Sequence, residues 1–213
     1  MAVVRSTYVS TVTGSSVGSV TVNVADVGDL VVALQAKTNV GGRALSVNGT
    51  AVNELVNYST GVWLGGWLFP DTTGALTVSS TGGGGAQTLT LQAAVYTGVS
   101  TVSPIGATAV SSGLSSASSG ALGSSAGDLV VTWARFGAGA TYTSGNFTTG
   151  AGIVKVDITG GVQGMQCWGE TSGATTVDPH WNHVNSTTWM AFALTLNAAA
   201  AAANRGHNAW VFA

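Results

Sequence analysis

Charged side chains are scarce in this chain. It holds 6 Lys and Arg and 8 Asp and Glu among 213 residues, or 7% charge, where soluble domains average about 25%. A nucleic-acid binder needs a basic footprint, but the formal net charge is -2 and the cations are scattered. A long coiled coil needs charged flanking positions, and a solvated helical bundle needs Glu and Lys on its outer faces. Neither is provided. With a single cysteine, Cys167, no intrachain disulfide can form. No apolar run has the length of a membrane-spanning helix, and Met1 to Thr13 lacks the apolar centre of a secretion signal. Disorder is excluded from the other side, because 45% of the residues are hydrophobic and net charge is small.

What is present is glycine, 31 residues of it, with abundant Ser, Thr, Ala and Val. The dominant period is two. Val20, Val22 and Val24 alternate with small polar residues, as in a half-buried strand. Asp29 to Lys37 is more continuously apolar, which suits a sheet covered on both faces. Val62 to Phe69 carries Trp63, Trp67 and Phe69 around Gly65 and Gly66, a pair that suggests a bulge or bend. Further strands are expected at Gln87 to Tyr96, Leu129 to Phe136, Ile153 to Ile158, Gln163 to Gly169 and Thr188 to Asn197. Gly/Ser/Thr turns separate them at sandwich-like spacing. Gly82 to Gly85 reads as a hairpin tip, and Ser111 to Ser125 as a linker or extended crossover. The expected class is all-β, an antiparallel β-sandwich. Its N-terminal strand or arm is 1–18, the sandwich 19–197, and a short Ala-rich helix with an apolar tail 198–213.

The halves echo each other. Val27-Gly28-Asp29-Leu30-Val31-Val32 resembles Ala126-Gly127-Asp128-Leu129-Val130-Val131, and the Leu-Thr-Leu of Leu89 to Leu91 recurs at Leu194 to Leu196. Two domains would explain this. One sandwich to which both halves contribute similarly placed strands is preferred, since either half alone has a thin core.

Motifs for chemistry are few. Gly-x-Ser-x-Gly occurs at Gly14 to Gly18 and Gly123 to Gly127, but strands follow where a nucleophile elbow needs a helix. Asp178-Pro179-His180-Trp181-Asn182-His183 has metal-like His spacing, yet Asp-Pro and neighbouring Asn argue for a loop that is solvated or touches a partner. The carboxylates mostly sit at turns. Glu170, beside Trp168, is the one in an aromatic setting. Of the seven Trp, Trp63, Trp67, Trp168, Trp181 and Trp189 could form a sugar platform, whereas core placement is expected for Trp63, Trp133 and Trp189. No metal, cofactor or catalytic set is expected.

The order of segments resembles a known family. A Gly-Asp-Leu-Val-Val strand is followed by the Trp-rich strand, a Thr-Leu-Thr-Leu strand ending in Tyr96-Thr97-Gly98-Val99, a Pro104 to Ala107 segment and a second Gly-Asp-Leu-Val-Val strand. This looks like the jelly-roll-like β-sandwich domains of virion proteins of tailed actinobacteriophages, over about Ser19 to Asn197. The resemblance implies a non-enzymatic structural role, most simply as a minor tail protein, with capsid decoration as the alternative. Apart from the resemblance, exposed tryptophans near Trp63, Trp168 or Trp181 would make the chain a carbohydrate-binding module, the second alternative. The resemblance also implies assembly in the bacterial cytoplasm into the virion. The implied partners are tail or capsid subunits, further copies in a homo-oligomer such as a trimer, and a host surface glycan. Neither nucleic acid nor membrane is among them. Candidate contact residues are Val4 and Tyr8 on an N-terminal strand able to pair with a neighbour's sheet edge. Trp181 and His183 in the polar cluster, and Trp210, Val211 and Phe212 as a C-terminal anchor, complete the set. Alternatively both ends fold onto their own domain. Low charge and a mean hydropathy of +0.37 favour a permanent assembly over a free monomer.

Overall fold

The computed structural model describes residues 1–13, 17–37, 44–58, 63–81, 89–113, 117–137, 141–147, 154–161, 164–174, 176–184 and 189–200. Every regular element among them is a strand. The first half contains β1 (Val4–Thr13), β2 (Gly18–Val24), β3 (Leu30–Lys37), β4 (Ala44–Val47), β5 (Thr50–Ala51), β6 (Asn53–Tyr58), β7 (Trp63–Leu68), β8 (Gly74–Thr81) and β9 (Leu89–Thr97). The second contains β10 (Ile105–Gly113), β11 (Ala117–Ser118), β12 (Leu122–Gly123), β13 (Leu129–Phe136) and β14 (Thr141–Phe147), followed by β15 (Val154–Gly161), β16 (Gly164–Ser172), β17 (Thr176–Val177), β18 (Pro179–Val184) and β19 (Trp189–Leu196).

The two halves repeat one strand order. The first forms a five-stranded sheet β1-β9-β3-β7-β6 and a four-stranded sheet β2-β8-β4-β5. The second forms β10-β19-β13-β16-β15, with β11-β18-β14 and β12-β17 standing where β2, β8 and β4 stand in the first. All the pairings are antiparallel. The Gly-Asp echo has a shared geometry. The Asp29 amide donates to Asp26 O (3.0 Å) and the Asp128 amide to Ser125 O (3.1 Å). Each carboxylate then accepts from backbone amides of its own turn: Asp29 from Ala25 and Asp26, Asp128 from Ser125.

Three cores explain the apolar patterning. Val31, Ala33, Leu91 and Val95 face Val22, Leu45 and Val78 of the smaller sheet. Val130, Ala134 and Cys167 face Val177 and Trp181. Between them the two five-stranded sheets meet: Leu30, Val32, Leu34 and Tyr96 pack with Val131, Trp133, Trp168, Phe192 and Leu194. Both faces of β3, and of β13, are therefore covered, which is why these strands read as continuous apolar runs.

Local differences from the sequence pattern have physical causes. The glycine pair of β7 lies opposite a bulge in β6, between Glu54 and Val56, so the irregularity sits on the partner strand. A Cβ at Gly66 would lie 2.8 Å from Asn53 O and closer still to Val52. Asp178 to His183, expected as a loop, is mostly strand β18. Pro179 is its first residue, where a missing N–H costs little, and β18 pairs on both sides, with β14 and β11. The Ser111 to Ser125 tract contributes to β10, β11 and β12 rather than only linking the halves. Of the expected Ala-rich helix, residues 198–200 are described and carry no helix: Ala198 forms a β-bridge with Val99. Residues 201–213 and the Gly82 to Gly85 tip lie outside the described residues. Among the described residues no helix is long and apolar enough to cross a membrane.

The chain start sits at the junction of the halves. The Met1 amino group donates to Ala199 O (3.2 Å) and the Val3 amide to Gly127 O (2.8 Å). Ala199 N in turn donates to Gly98 O (2.8 Å). Gly98 has φ +73, and a Cβ there would stand 2.5 Å from Ala2 O. Only glycine accepts both that dihedral and that approach.

Candidate functional site

The richest polar cluster lies inside the joint between the two large sheets, around Glu170 of β16. Residues 166–170 of that strand are buried, so the carboxylate, 7% exposed, must be satisfied from within. It is. Tyr96 OH, on β9 of the other half, donates to Oε1 at 2.7 Å, and Trp168 Nε1 donates to the same oxygen at 3.1 Å. Arg5 Nη1, on β1, donates to Oε2 at 2.9 Å and completes an ion pair whose cationic side is 29% exposed. Desolvation by burial pushes the Tyr96 phenol well above its ordinary pKa. The Glu170 charge and hydrogen bond add to this. The phenol therefore stays protonated and stays a donor. Aromatic contacts brace the cluster: Tyr8 meets Trp168 edge-on at 5.2 Å, Trp168 meets Trp133 edge-on at 4.8 Å, and Trp133 stacks on Phe192 at 5.2 Å. Both carboxylate oxygens are committed to the chain's own donors, so the arrangement clamps one half to the other.

Sequence reasoning singled out Glu170 and its aromatic setting but not its partners. Arg5 is 165 residues away and Tyr96 is 74, and no local pattern links such positions. Only the packing of the two sheets brings them together.

The residues expected at partner contacts are dispersed. Val4 is 57% exposed on β1, an edge strand that pairs only with β9 among the described residues. Tyr8 on the same strand turns inward instead. Its hydroxyl accepts from Gln92 Nε2 at 3.0 Å while its ring rests on Trp168. Trp181 is fully buried and its Nε1 donates to Thr132 Oγ1 at 3.2 Å, so its indole belongs to this chain's own core. His183 lies on β18, its backbone opposite Tyr142. Trp210, Val211 and Phe212 fall outside the described residues.

The remaining motifs resolve into structure. Trp133, Trp168, Trp181 and Trp189 are all buried, as expected for Trp133 and Trp189, so no sugar platform forms from Trp168, Trp181 and Trp189. His180 Nε2 lies 3.3 Å from Asp178 Oδ2, and Ser118 Oγ donates to Asp178 Oδ1 at 2.8 Å. Among the described residues no three His, Cys, Asp or Glu converge as metal ligands. The second Gly-x-Ser-x-Gly is the turn before β13, where Ser125 N donates to Asp128 Oδ2 at 2.7 Å. The first includes residues outside those described. Compared with known proteins, the chain matches no family model, no curated protein and no solved structure.

Proposed function

We propose that the chain is a non-enzymatic structural component of a tailed bacteriophage virion, a minor tail protein at the tip or in a fibre, built as two jelly rolls in tandem. The observation that carries the reading is the repeated strand order. With β5 and β6 taken as one strand, the first half runs 1-8-3-6 in its large sheet, extended by strand 5, and 2-7-4-5 in the small one. That order supports a jelly-roll connectivity, a fold common in capsid and lectin domains. The second half repeats the large-sheet order strand for strand. This agrees with the segment order that resembles phage virion proteins.

Assembly contacts follow from the edges and ends. β1 and β10 each have one sheet neighbour among the described residues, and Val4, Val12 and Val110 on them are exposed. Such strands accept a further strand from a neighbouring subunit, and a homo-oligomer such as a trimer would use them. Trp210, Val211 and Phe212 supply an aromatic anchor for another virion protein.

Particle composition tests the reading. Purified phage is analysed by mass spectrometry and labelled with an antibody to this chain. Label at the tail tip supports the minor tail role. Label over the head replaces it with capsid decoration. Absence from intact particles overturns both.

A further inference from the structure

A cleft in the first half carries unspent recognition groups. It lies between the turn joining β4 to β5 and the segment joining β7 to β8, and its volume is about 130 Å³. Drug-sized sites occupy roughly 300 to 1,000 Å³, so the occupant is one small ring. The floor is apolar, including Val47 and Leu76. Phe69 lines it, half-buried and braced edge-on by Trp67 at 5.9 Å.

Two polar groups on this cleft lack partners. Asp26, Asp29, Glu54, Asp128, Glu170 and Asp178 all accept hydrogen bonds from their own chain. Among the described acidic side chains, Asp71 alone accepts none. Asn48 is held in the left-handed region at φ 46. Its backbone amide donates to Thr77 O and its Oδ1 accepts from Thr77 N, both at 2.8 Å. That pair locks the side chain and leaves Nδ2 as a donor with no partner among the described residues.

The cleft thus offers an acceptor, a fixed donor, an aromatic ring and an apolar floor. An anion is repelled by Asp71. A purely apolar guest would desolvate that carboxylate without compensation. A divalent cation needs more oxygen ligands than one carboxylate, and no second acid joins it. A pyranose matches every wall: its C–H face packs on an aromatic ring, and neighbouring hydroxyls donate to a carboxylate and accept from an amide. We propose that this cleft binds a single neutral pyranose unit, with Asp71 and Asn48 reading its hydroxyls and Phe69 its apolar face. The inference rests on the proposed tail role, whose resemblance implies a host surface glycan as partner, and assigns that contact to this cleft instead of to the buried tryptophans.

The test is a nitrogen–proton correlation titration of the full chain. Methyl glucopyranoside, methyl galactopyranoside, methyl mannopyranoside and N-acetylglucosamine are each added to about 50 mM, since such small contacts give dissociation constants on the order of millimolar. Expected are shifts confined to the amides of Asn48, Thr50, Asp71 and Thr72, with binding weakened about tenfold or more in Asp71→Asn. Asp71 is exposed, so this variant keeps the fold, as an otherwise unchanged spectrum checks. No shift of these amides with any of the four sugars, or equal binding by Asp71→Asn, overturns the inference. If particles carry the chain but the cleft takes no sugar, only this inference falls. If the sugar binds but particles lack the chain, only the virion reading falls.

Discussion

Replacing Glu170 by alanine removes the acceptor at the centre of the joint between the halves. Tyr96 OH and Trp168 Nε1 both point at Oε1, and both residues are fully buried. Each donor left without a partner costs about 1 to 3 kcal/mol. The missing side-chain atoms leave a small void, worth about 1 kcal/mol. The Arg5 pair adds little, because the guanidinium is 29% exposed and regains water, about 0.5 kcal/mol. The sum is a loss of about 3.5 to 7.5 kcal/mol. For a chain of this size that lowers Tm by roughly 7 to 30 °C. Glu170→Gln keeps an acceptor for Tyr96 and Trp168 and sets two donors face to face at Arg5, so it costs about 1 to 2 kcal/mol. The decisive assay is a double-mutant cycle with Tyr96→Phe, by urea unfolding followed by tryptophan fluorescence. Removing the phenol deletes one of the stranded donors, so the two substitutions together cost less than their sum by about 1.5 kcal/mol. Additive costs, or a Glu170→Ala variant within about 0.5 kcal/mol of the parent, would refute the clamp.

The same site predicts alkaline sensitivity. The folded-state pKa of Tyr96 is raised above its ordinary 10.0, so above pH 10 the folded chain holds a proton that the unfolded chain releases. Stability from this group is full below pH 10 and falls as pH rises through the folded value. Absorbance at 295 nm should show one of the four tyrosines ionising late or only on unfolding, and Tyr96→Phe should remove that step. At the glycines, Gly66→Ala drives a Cβ against Val52 and Asn53 O, at a cost of about 3 kcal/mol. Gly98→Ala combines a strained φ with the Ala2 O clash, costs about 2 kcal/mol or more, and should open the N-terminus to aminopeptidase. Wild-type melting temperatures for both variants would show the packing argument to be wrong. Cys167 is fully buried, so its thiol should react with an aromatic disulfide reagent only at the rate of unfolding, and fast labelling of native protein would contradict its place in the core.

Much of the strand content was legible from residue type. Leu129 to Phe136 matches β13 residue for residue, because a strand covered on both faces has a nearly continuous apolar signature, here interrupted only by Thr132 and Arg135. Strands β4, β6, β8, β14 and β18 were not singled out: Ser, Thr, Asn and Gly dominate β8 and β14, which look like turns, and β4, β6 and β18 are six residues or fewer, too short for a clear alternation. The Gly-Asp echo pointed to a repeat. That each half completes its own pair of sheets became visible only in the pairing register.

Composition and periodicity, then, were sufficient for the all-β class, the covered strands and the inward placement of Trp133 and Trp189, because these depend on local alternation and on the cost of exposing apolar area. Trp181 was expected at a partner contact because of its polar neighbours, and it is fully buried instead. The Glu170 clamp, the pinned Met1 and the unpartnered Asp71 above Phe69 depend on which distant strands lie side by side. Tertiary structure decided them, because a contact between residues far apart in the chain, such as Tyr96 and Glu170 at 74 positions or Met1 and Ala199 at 198, leaves no trace in the spacing of either.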